Sequence, residues 1–329
     1  MDLSRLYASE IPDFLRDAAE TDALRRLLDV GMNCGCEYTN FPRFCDLAQY
    51  SRFDHSLGVA LIVWQHTHDK KQAMAGLLHD VATPVFAHVV DFLKGDYLTQ
   101  EATEAGTEAT IRASRSLCAV LDKHGLTVDE VKDYHIYPVA DNDSPRLSAD
   151  RLEYSLGNMR NYGFADRCTV EALYKDIAVG ENECGETELV FTHLEQASAF
   201  AGLALKCGKV YVCDEDRYAM QRLAEILADA LQAGVIAAGD LAATEPQIIE
   251  KLAADFAAAK AWRAFCALHT TETADDARSG GAWRKIYAKK RYIDPFVVGR
   301  GRVSALDADF AAALDAFRSQ RQDYWVRGD

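Results

Sequence analysis

Apolar residues recur through most of this chain at the spacing of an α-helix, and this periodicity limits the fold more than any other feature of the sequence. Met74, Leu77, Leu78 and Val81 stand at positions i, i+3, i+4 and i+7, which is the apolar stripe of a packed helix. Residues 57–64 repeat this spacing one segment earlier. Because such a stripe has to be covered by other helices, the sequence predicts an all-α fold, built as a helical bundle.

One segment predicts β-structure. Residues 177–179 and 188–192 are strand-like and flank the turn-rich stretch 182–185, so we expect a short hairpin there. We place a soft boundary near residue 175, with a core and N-terminal helices in 1–175 and a helical extension, packed on this core, in 176–329. Helices are expected near 107–124, 194–206, 215–233, 246–260 and 306–322, with a polar loop at 275–281.

The charge of the chain argues against one class of partner. The formal net charge is −15 over 329 residues. Nucleic-acid polymers are bound through basic surface that displaces counterions, so we expect none as the main partner. A small phosphorylated ligand is compatible with the charge, because a metal and a few local Arg or Lys side chains outweigh the global balance.

The cysteines indicate free thiols. There are nine of them, scattered along the chain, and Cys34 and Cys36 have no second pair at zinc-finger spacing. Buried thiols are the favoured interpretation of this pair, and metal binding is the weaker one. The first 17 residues lack the apolar run of a signal peptide, and no 18-residue apolar stretch could cross a membrane. We therefore expect a cytoplasmic protein with no membrane partner.

A His-Asp dyad follows directly on an apolar helix. His79 and Asp80 come after the run 74–78, and a proline follows four residues later, so the helix should end near the dyad. A carboxylate is rarely fully buried unless it is paired or bound to metal, and imidazole with carboxylate suits Mn, Fe, Co or Zn. His55 and Asp150 each begin another predicted helix, and a helical bundle could bring such distant groups together.

Each of these residues also has a structural interpretation. A histidine beside an apolar stripe is usually a satisfied core or surface histidine. Asp150 near a helix start ordinarily complements the helix dipole or caps the helix. Taken one at a time, the residues are more often structural than functional, and their combination favours a metal site.

Four segments carry a resemblance to a known family, and they are SRFDHSLG at 51–58, LLHD at 77–80, FAHVVD at 86–91 and SADRLEY at 148–154. With a His, a His-Asp dyad and a distant Asp, the chain resembles the HD-domain metal-dependent phosphohydrolases. RFDHSLG and DRLEY look like the deoxynucleoside triphosphate triphosphohydrolase branch, and weaker similarity continues to RYIDP at 291–295. The resemblance implies an HD-domain helical bundle in which His55, His79, Asp80 and Asp150 hold one divalent transition metal, whether Mn, Fe, Co, Ni or Zn.

The resemblance also implies roles for side chains around the metal. In this family the metal polarises a phosphoryl oxygen or lowers the pKa of a bound water that attacks phosphorus. Carried over by position, Arg52, Arg151 and Tyr154 would contact phosphate. Asp150 and Tyr154 stand at i, i+4 and share a helix face, which supports part of this transfer. The alternatives are a surface ion pair for either arginine and a half-buried aromatic with a solvated hydroxyl for Tyr154.

His88 and Asp91 stand at i, i+3, so a helix would place them on one face. They could form an acid/base pair in which the carboxylate orients the imidazole and raises its basicity. The resemblance puts both beside the metal. A purely structural His–Asp hydrogen bond is the alternative.

Two departures from the triphosphohydrolase branch affect the choice of substrate. That branch follows its dyad with Gly-His-Gly-Pro, whereas this chain has Ala-Thr-Pro-Val at 82–85. It also carries a catalytic His before a Glu, where this chain reads Thr103-Glu104. Because a Thr hydroxyl cannot act as an acid or base at neutral pH, Glu104 or His88 would have to substitute, or the substrate would differ.

The sequence therefore supports two main hypotheses. In the first, the protein hydrolyses a phosphate ester or anhydride, in a nucleotide or similar metabolite, with His88, Asp91 and Glu104 as candidate catalytic residues. In the second, it is a non-catalytic HD-fold module that binds a nucleotide or serves in assembly. A third, structural role for the metal predicts that its removal unfolds the chain. A homo-oligomer is compatible with each of these.

Overall fold

A computed structural model of the protein describes residues 3–94, 106–276 and 282–329. These residues form seventeen α-helices, joined by short 3-10 turns and loops. In chain order the helices are α1 Ser4–Tyr7, α2 Asp13–Ala19, α3 Asp22–Arg25, α4 Arg52–Thr67, α5 Lys70–Leu78, α6 Val89–Lys94, α7 Thr107–Ala113, α8 Arg115–Lys123, α9 Val128–Val131, α10 Ala149–Asn161, α11 Arg167–Lys175, α12 Leu194–Val210, α13 Asp214–Gln232, α14 Glu245–Ala254, α15 Phe256–Cys266, α16 Val303–Leu306 and α17 Ala308–Ser319.

Two small sheets accompany the helices. Their strands are β1 Ile177–Glu181, β2 Thr187–Phe191, β3 Thr271–Ala274, β4 Arg284–Lys285, β5 Phe296–Val297, β6 Gly301–Arg302 and β7 Trp325–Gly328. One sheet has the order β1-β2-β5-β6 and the other β3-β7-β4. The predicted hairpin is confirmed, with Ile177 opposite Phe191 in an antiparallel pair. The all-α prediction is too strict, because strands of two to four residues are too short to show a period in sequence.

Two predicted helices are interrupted and a third begins later than predicted, and the cause is the same each time. Ser114 divides 107–124, Asp255 divides 246–260, and Asp307 precedes α17, which is the helix predicted at 306–322. In each case the side chain of the interrupting residue accepts a backbone N–H from the first turn of the following helix. A residue that serves as an N-cap adopts extended dihedrals, so the helix restarts there with a change of direction.

The helices that position the candidate site begin and end at capping residues. Ser51 and Asp54 form a capping box at the start of α4, and the Ser148 hydroxyl accepts the Arg151 N–H at the start of α10. His55 and Asp150 therefore lie in the first turns of their helices. The α5 helix ends at Leu78, as predicted, with His79 directly after it.

The core consists of two apolar clusters. The larger one surrounds α4 and α5 and extends through α10 and α12 to Phe317 on α17. The smaller one joins residues 34–44 and the segment before α6 to α13, α14 and α15. Both clusters contain residues from either side of position 175, which lies at the end of α11. The boundary near residue 175 stays a prediction.

Within the described ranges, no helix combines the length and the apolar character that crossing a bilayer requires.

Candidate metal centre

The four predicted ligands converge from α4, from α10 and from the two residues that follow α5. The Nε2 atom of His55 on α4 lies 3.0 Å from Oδ1 of Asp150 on α10 and 3.9 Å from Oδ2 of Asp80. The Nε2 atom of His79, at the end of α5, lies 3.5 Å from Asp80 Oδ2 and 3.7 Å from Asp150 Oδ1. Ligand atoms of His55, His79 and Asp80 all lie within 4.8 Å of one another, and all three side chains are buried. The structure thus forms one compact cluster of two imidazoles and two carboxylates.

A buried carboxylate orients the imidazole of His55. Its Nδ1 atom lies 2.6 Å from Oε2 of Glu153, one turn along α10 from Asp150. The same carboxylate accepts hydrogen bonds from the hydroxyls of Tyr50, at 2.5 Å, and Tyr7, at 3.2 Å. Because Nδ1 of His55 is engaged there, Nε2 is the nitrogen presented to the cluster.

Gly58 makes room for this carboxylate. A Cβ atom at position 58 would lie 2.7 Å from Oε1 of Glu153, closer than non-bonded atoms approach. Gly58 lies one turn after His55 on α4, so the glycine allows Glu153 to reach the back of the imidazole. This explains physically the glycine that ends the RFDHSLG segment.

Two of the other three ligands, His79 and Asp80, are also fixed by hydrogen bonds. Nδ1 of His79 lies 2.7 Å from the carbonyl oxygen of Gly76, which again leaves Nε2 to face the cluster. Asp80 receives a hydrogen bond from Nη1 of Arg52 at 3.0 Å and one from the hydroxyl of Thr83 at 2.6 Å. Thr83 belongs to the Ala-Thr-Pro-Val stretch that departs from the family pattern, and here it orients a candidate ligand.

The charged groups of the cluster shift one another's pKa values. Burial disfavours ionisation of Asp80, but the positive charges of Arg52, His79 and His55 outweigh burial and hold its pKa well below the ordinary value. Burial likewise disfavours a charged His55, yet hydrogen bonds to Asp150 and Glu153 raise its pKa to about 10. A positive charge is therefore favoured at the position that His55 Nε2 faces.

These residues fit a divalent transition metal. Two imidazole nitrogens and two carboxylate oxygens are donors that suit Mn, Fe, Co, Ni or Zn, and the remaining nitrogen of each ring already has a partner. The donor set suits several metals and does not select one of them.

His88 and Asp91 form the pair that the sequence suggested. Nδ1 of His88 lies 2.9 Å from Oδ2 of Asp91, whose side chain is fully buried. The other oxygen, Oδ1, has no hydrogen-bond partner within the described part of the chain. Phe86 and Ala87, immediately before His88, both have left-handed backbone conformations, with φ of 56° and 48°. Such strain in non-glycine residues is concentrated at functional sites.

The charge state of His88 is set by its surroundings. Burial lowers its pKa, the hydrogen bond to Asp91 opposes this, and the positive charges of Arg291 and Arg52 lower the pKa further. The net pKa is below the ordinary value of 6.5, so the imidazole is neutral at pH 7. Arg291 comes from the C-terminal part of the chain, and we assigned it no role from its sequence position.

The predicted phosphate-contacting residues differ in their environments. Arg52 is buried, with one nitrogen on Asp80 and with Nε lacking a partner among the described residues. Arg151 is engaged by Asp141 at 3.1 Å and by oxygen atoms of residues 142 and 146. Tyr154 is half-buried, 6.4 Å from the ring of Tyr211. The phosphate contact of each stays a prediction, and for Arg151 it would require an exchange of partners.

Glu104, the third candidate catalytic residue, and Thr103 lie outside the described residues. So does the latter part of the predicted loop at 275–281.

Sequence reasoning assigned no role to three residues that hold the ligands. Glu153 and Thr83 each carry a local signal, because they stand three residues after the predicted ligands Asp150 and Asp80. Tyr50 carries none that we could have used. The Tyr50 hydroxyl reaches Glu153 across 103 positions of chain, and no spacing rule applies at that separation.

Comparisons with solved structures bear on the fold. A phosphohydrolase from Bacteroides thetaiotaomicron VPI-5482 aligns with a TM-score of 0.63 over 97% of this chain and 96% of that chain, at 14% identity. The chain has the fold of this phosphohydrolase. A hypothetical protein from Aquifex aeolicus gives a TM-score of 0.64 at 16% identity, covering 97% of this chain and 93% of that one. No family model matches the chain.

Two curated proteins are similar in sequence. The uncharacterised protein YdhJ of Bacillus subtilis (strain 168) is 26% identical over 206 residues, which is 62% of this chain and 61% of that protein. The metal-dependent phosphohydrolase cns2 of Cordyceps militaris is 29% identical over 116 residues, 34% of this chain and 32% of that protein. The chain thus spans about three fifths and one third of the length of these relatives.

Proposed function

We propose that this protein is a metal-dependent phosphohydrolase of the HD-domain type. One observation carries the proposal: His55, His79, Asp80 and Asp150 come together from α4, from the end of α5 and from α10 as one donor set, in which the first three side chains are buried. The similarity to a metal-dependent phosphohydrolase of Cordyceps militaris and the fold shared with a phosphohydrolase of Bacteroides thetaiotaomicron support it.

The chemistry divides between the metal and the chain. A divalent metal held by the four residues would supply Lewis-acid activation of water and of a phosphoryl oxygen. Glu153 keeps His55 in the tautomer that presents Nε2, and Thr83 and Arg52 fix the carboxylate of Asp80. Arg52 also brings a positive charge to the cluster, suited to stabilising negative charge on phosphoryl oxygens.

His88 is suited to move a proton. Its Nδ1 donates to Asp91, so Nε2 carries the lone pair of the neutral imidazole. A neutral imidazole backed by a carboxylate can take a proton from attacking water and return it to a leaving group. Asp91 acts by orienting His88 and stabilising its charged form. Glu104 remains in the proposal as a second proton-handling group.

The nucleotide substrate is the narrower part of the proposal. It is supported by the likeness of residues 52–58 and 150–154 to the triphosphohydrolase branch. The Ala-Thr-Pro-Val stretch and Thr103 stand where that branch has other residues, so a mono-, di- or triphosphate is left open.

Product analysis by chromatography tests both parts. The purified protein would be supplied with Mn, Co or Mg in turn and mixed with mono-, di- and triphosphate nucleotides. We expect product from the wild type and none from a His79→Ala/Asp80→Ala variant, which also controls for contaminating phosphatases. The product formed identifies the leaving group.

Failure of turnover would separate the alternatives. If folded, metal-loaded protein turns over no nucleotide but does hydrolyse another phosphate ester, the nucleotide part fails and the phosphohydrolase stands. If it hydrolyses none and binds a nucleotide tightly, the non-catalytic module is the correct account.

A further inference from the structure

The connecting segment between α9 and α10, residues 132–147, lies outside the four segments that resemble the family, yet it contacts the candidate centre at two places. One of them is the start of α10. The Ala149 N–H donates to the carbonyl oxygen of Val139 at 2.8 Å, and the Asp150 N–H donates to that of Ala140 at 3.2 Å. The backbone of one predicted ligand is therefore hydrogen-bonded to this connecting segment.

The other place is the imidazole of His79. Tyr134 opens a short 3-10 turn, Tyr134–Ile136, and its ring centroid lies 4.8 Å from that of His79, with the two ring planes inclined by 33°. Tyr134 is buried, with 7% of its surface exposed. At this separation and inclination the two rings overlap face to face, an arrangement that is favourable beyond the burial of their area. Two ligands from different helices are thus in contact with one connecting segment.

The tyrosine ring restricts how the imidazole of His79 can move. The hydrogen bond between Nδ1 and the carbonyl oxygen of Gly76 fixes one atom of the imidazole, but the ring can still tilt about that bond. The imidazole of His55 lies 5.1 Å away and nearly perpendicular, at 79°. Because Tyr134 lies against the face of the imidazole, a tilt that turns Nε2 away from the cluster meets the tyrosine ring.

The turn that presents Tyr134 is held by hydrogen bonds of its own. Oδ1 of Asp133, the residue before the turn, accepts the N–H of His135 at 3.0 Å. The Tyr137 N–H donates to the carbonyl oxygen of Tyr134 at 3.1 Å, and the Tyr137 hydroxyl donates to that of Glu130 at 2.6 Å. These contacts tie the turn to α9, so the tyrosine ring is supported from behind.

We infer that Tyr134 is a positioning residue of the metal centre, whose ring packs on His79 and keeps Nε2 directed into the donor set. The inference rests on the proposed function, because it takes the cluster to hold a metal. Replacing a residue that orients a metal-bound histidine typically lowers metal affinity by about 10- to 100-fold. Tyr134 acts through His79 and supplies no ligand atom itself.

A tyrosine that only fills the core makes a different prediction. Tyr134 belongs to the larger apolar cluster, so its truncation lowers the stability of the fold in either case. A residue with no other role would leave the metal affinity and the ligand field of the folded protein unchanged. Metal binding by folded protein is therefore the measurement that decides between the two.

Titration with Co²⁺, followed by its visible absorption, measures affinity and ligand field without any substrate. We expect Tyr134→Leu to bind Co²⁺ about tenfold or more weakly than the wild type and with a changed absorption spectrum, because His79 loses its orientation. Tyr134→Phe keeps the stacked ring and should bind within about threefold of the wild type. The matched control is Tyr218→Leu, at a buried position on α13 in the smaller apolar cluster. This control should unfold more readily and keep the wild-type affinity and spectrum.

Asp133→Ala decides the question if Tyr134→Leu does not fold. Asp133 is exposed, so its replacement leaves the core intact and loosens the turn that presents the tyrosine ring. We expect weaker Co²⁺ binding by a smaller factor than in Tyr134→Leu, and wild-type affinity would then refute the inference. Circular dichroism establishes that each variant is folded.

The outcomes separate this inference from the proposed function. If the wild type binds Co²⁺ and folded Tyr134→Leu binds it equally well with the same spectrum, the role of Tyr134 is refuted and the metal centre stands. An equal loss of affinity in Tyr134→Phe or in Tyr218→Leu also refutes it, because the stacked ring is then not the cause. If the wild type binds no metal, the proposed function and the role of Tyr134 fail together.

Discussion

Glu153 shows how a single side chain outside the ligand set can govern the centre. It is almost completely buried, and its two oxygens together contact His55, Tyr50 and Tyr7. A buried carboxylate with three hydrogen-bond partners is held in one orientation. Its hydrogen bond to Nδ1 makes the imidazole of His55 a stronger donor to a metal.

Replacing Glu153 with glutamine removes the negative charge and keeps the shape. We expect metal affinity to fall by about 10- to 100-fold, because the amide orients His55 less well and polarises it less. Competition with a chelator measures the affinity, and Glu195→Gln, at an exposed position on α12, is the matched control. Unchanged affinity in the Glu153 variant would contradict the role given to this carboxylate.

Thr83 offers a test that does not depend on metal. Thr83→Val keeps the volume and removes the hydroxyl that donates to Asp80, which leaves a buried carboxylate oxygen short of a donor. We expect the free energy of unfolding of the metal-free protein to fall by about 1–3 kcal/mol, measured by chemical denaturation. Thr83→Ser retains the hydroxyl and should lose about 1 kcal/mol or less. Equal losses in the two variants would mean that the hydrogen bond is unimportant.

Among the elements, the start of α14 and the loop before α4 bring two carboxylates together. Glu245, the first residue of α14, accepts hydrogen bonds from the Gly31 N–H and the Tyr38 hydroxyl, both at 2.8 Å. Burial and the neighbouring charge of Glu245 raise the pKa of Glu37 to about 8. The two acids line a cavity of about 300 Å³ that also contains Tyr50, the partner of Glu153. The packing of α14 against the loop before α4 therefore depends on the protonation of Glu37.

The pH dependence of stability should report this pair. Because the native state binds the proton of Glu37 more tightly than the unfolded chain does, its stabilising contribution is complete below the ordinary pKa of 4.5. That contribution is lost as the pH rises towards about 8. Glu37→Gln has no such proton, so between about pH 5 and about pH 8 its free energy of unfolding should fall less than that of the wild type, by up to about 3 kcal/mol.

Denaturation at several pH values measures this difference. Glu195→Gln, at its exposed position, should follow the wild type across the whole range. Parallel curves for Glu37→Gln and the wild type would show that Glu37 does not carry an elevated pKa.

At the scale of the whole molecule, the apolar core extends far beyond the candidate metal centre. The two apolar clusters run from Tyr7 to Val326 and join residues from both sides of position 175. The centre lies where α4, α5 and α10 meet, so its ligands are held by packing that extends well beyond them.

Metal removal should therefore leave the chain folded. We expect the chelator-treated protein to keep its helical far-UV circular dichroism and to lose thermal stability, by about 3 kcal/mol relative to protein in metal at 100 times its dissociation constant. Scanning calorimetry with and without metal measures the change. Loss of the helical signal on chelation would favour a purely structural metal, as in a domain that folds only on metal binding.

Much of the helical architecture could be predicted because its signals are local. The α5 stripe and the hairpin at 177–191 depend on residues within a few positions of one another. The helix ends at Ser114, Asp255 and Asp307 were mispredicted. In the sequence, a polar capping residue within an apolar pattern looks the same as a polar residue on the solvent-facing side of a continuous helix. The short C-terminal strands were missed because pairing partners such as Ala274 and Trp325 are far apart in sequence.

The sequence by itself determined that the protein is mainly helical and predicted which side chains gather in the candidate metal centre, because ligand types and helix positions are properties of short segments. Only the tertiary structure decided what those side chains contact. Tyr7 reaches Glu153 across 146 positions, Arg52 is bonded to Asp80, and Arg291 lies against Gly208 of α12. Such contacts arise from the packing of the whole chain, and their free energy depends on burial and charge that no local spacing records.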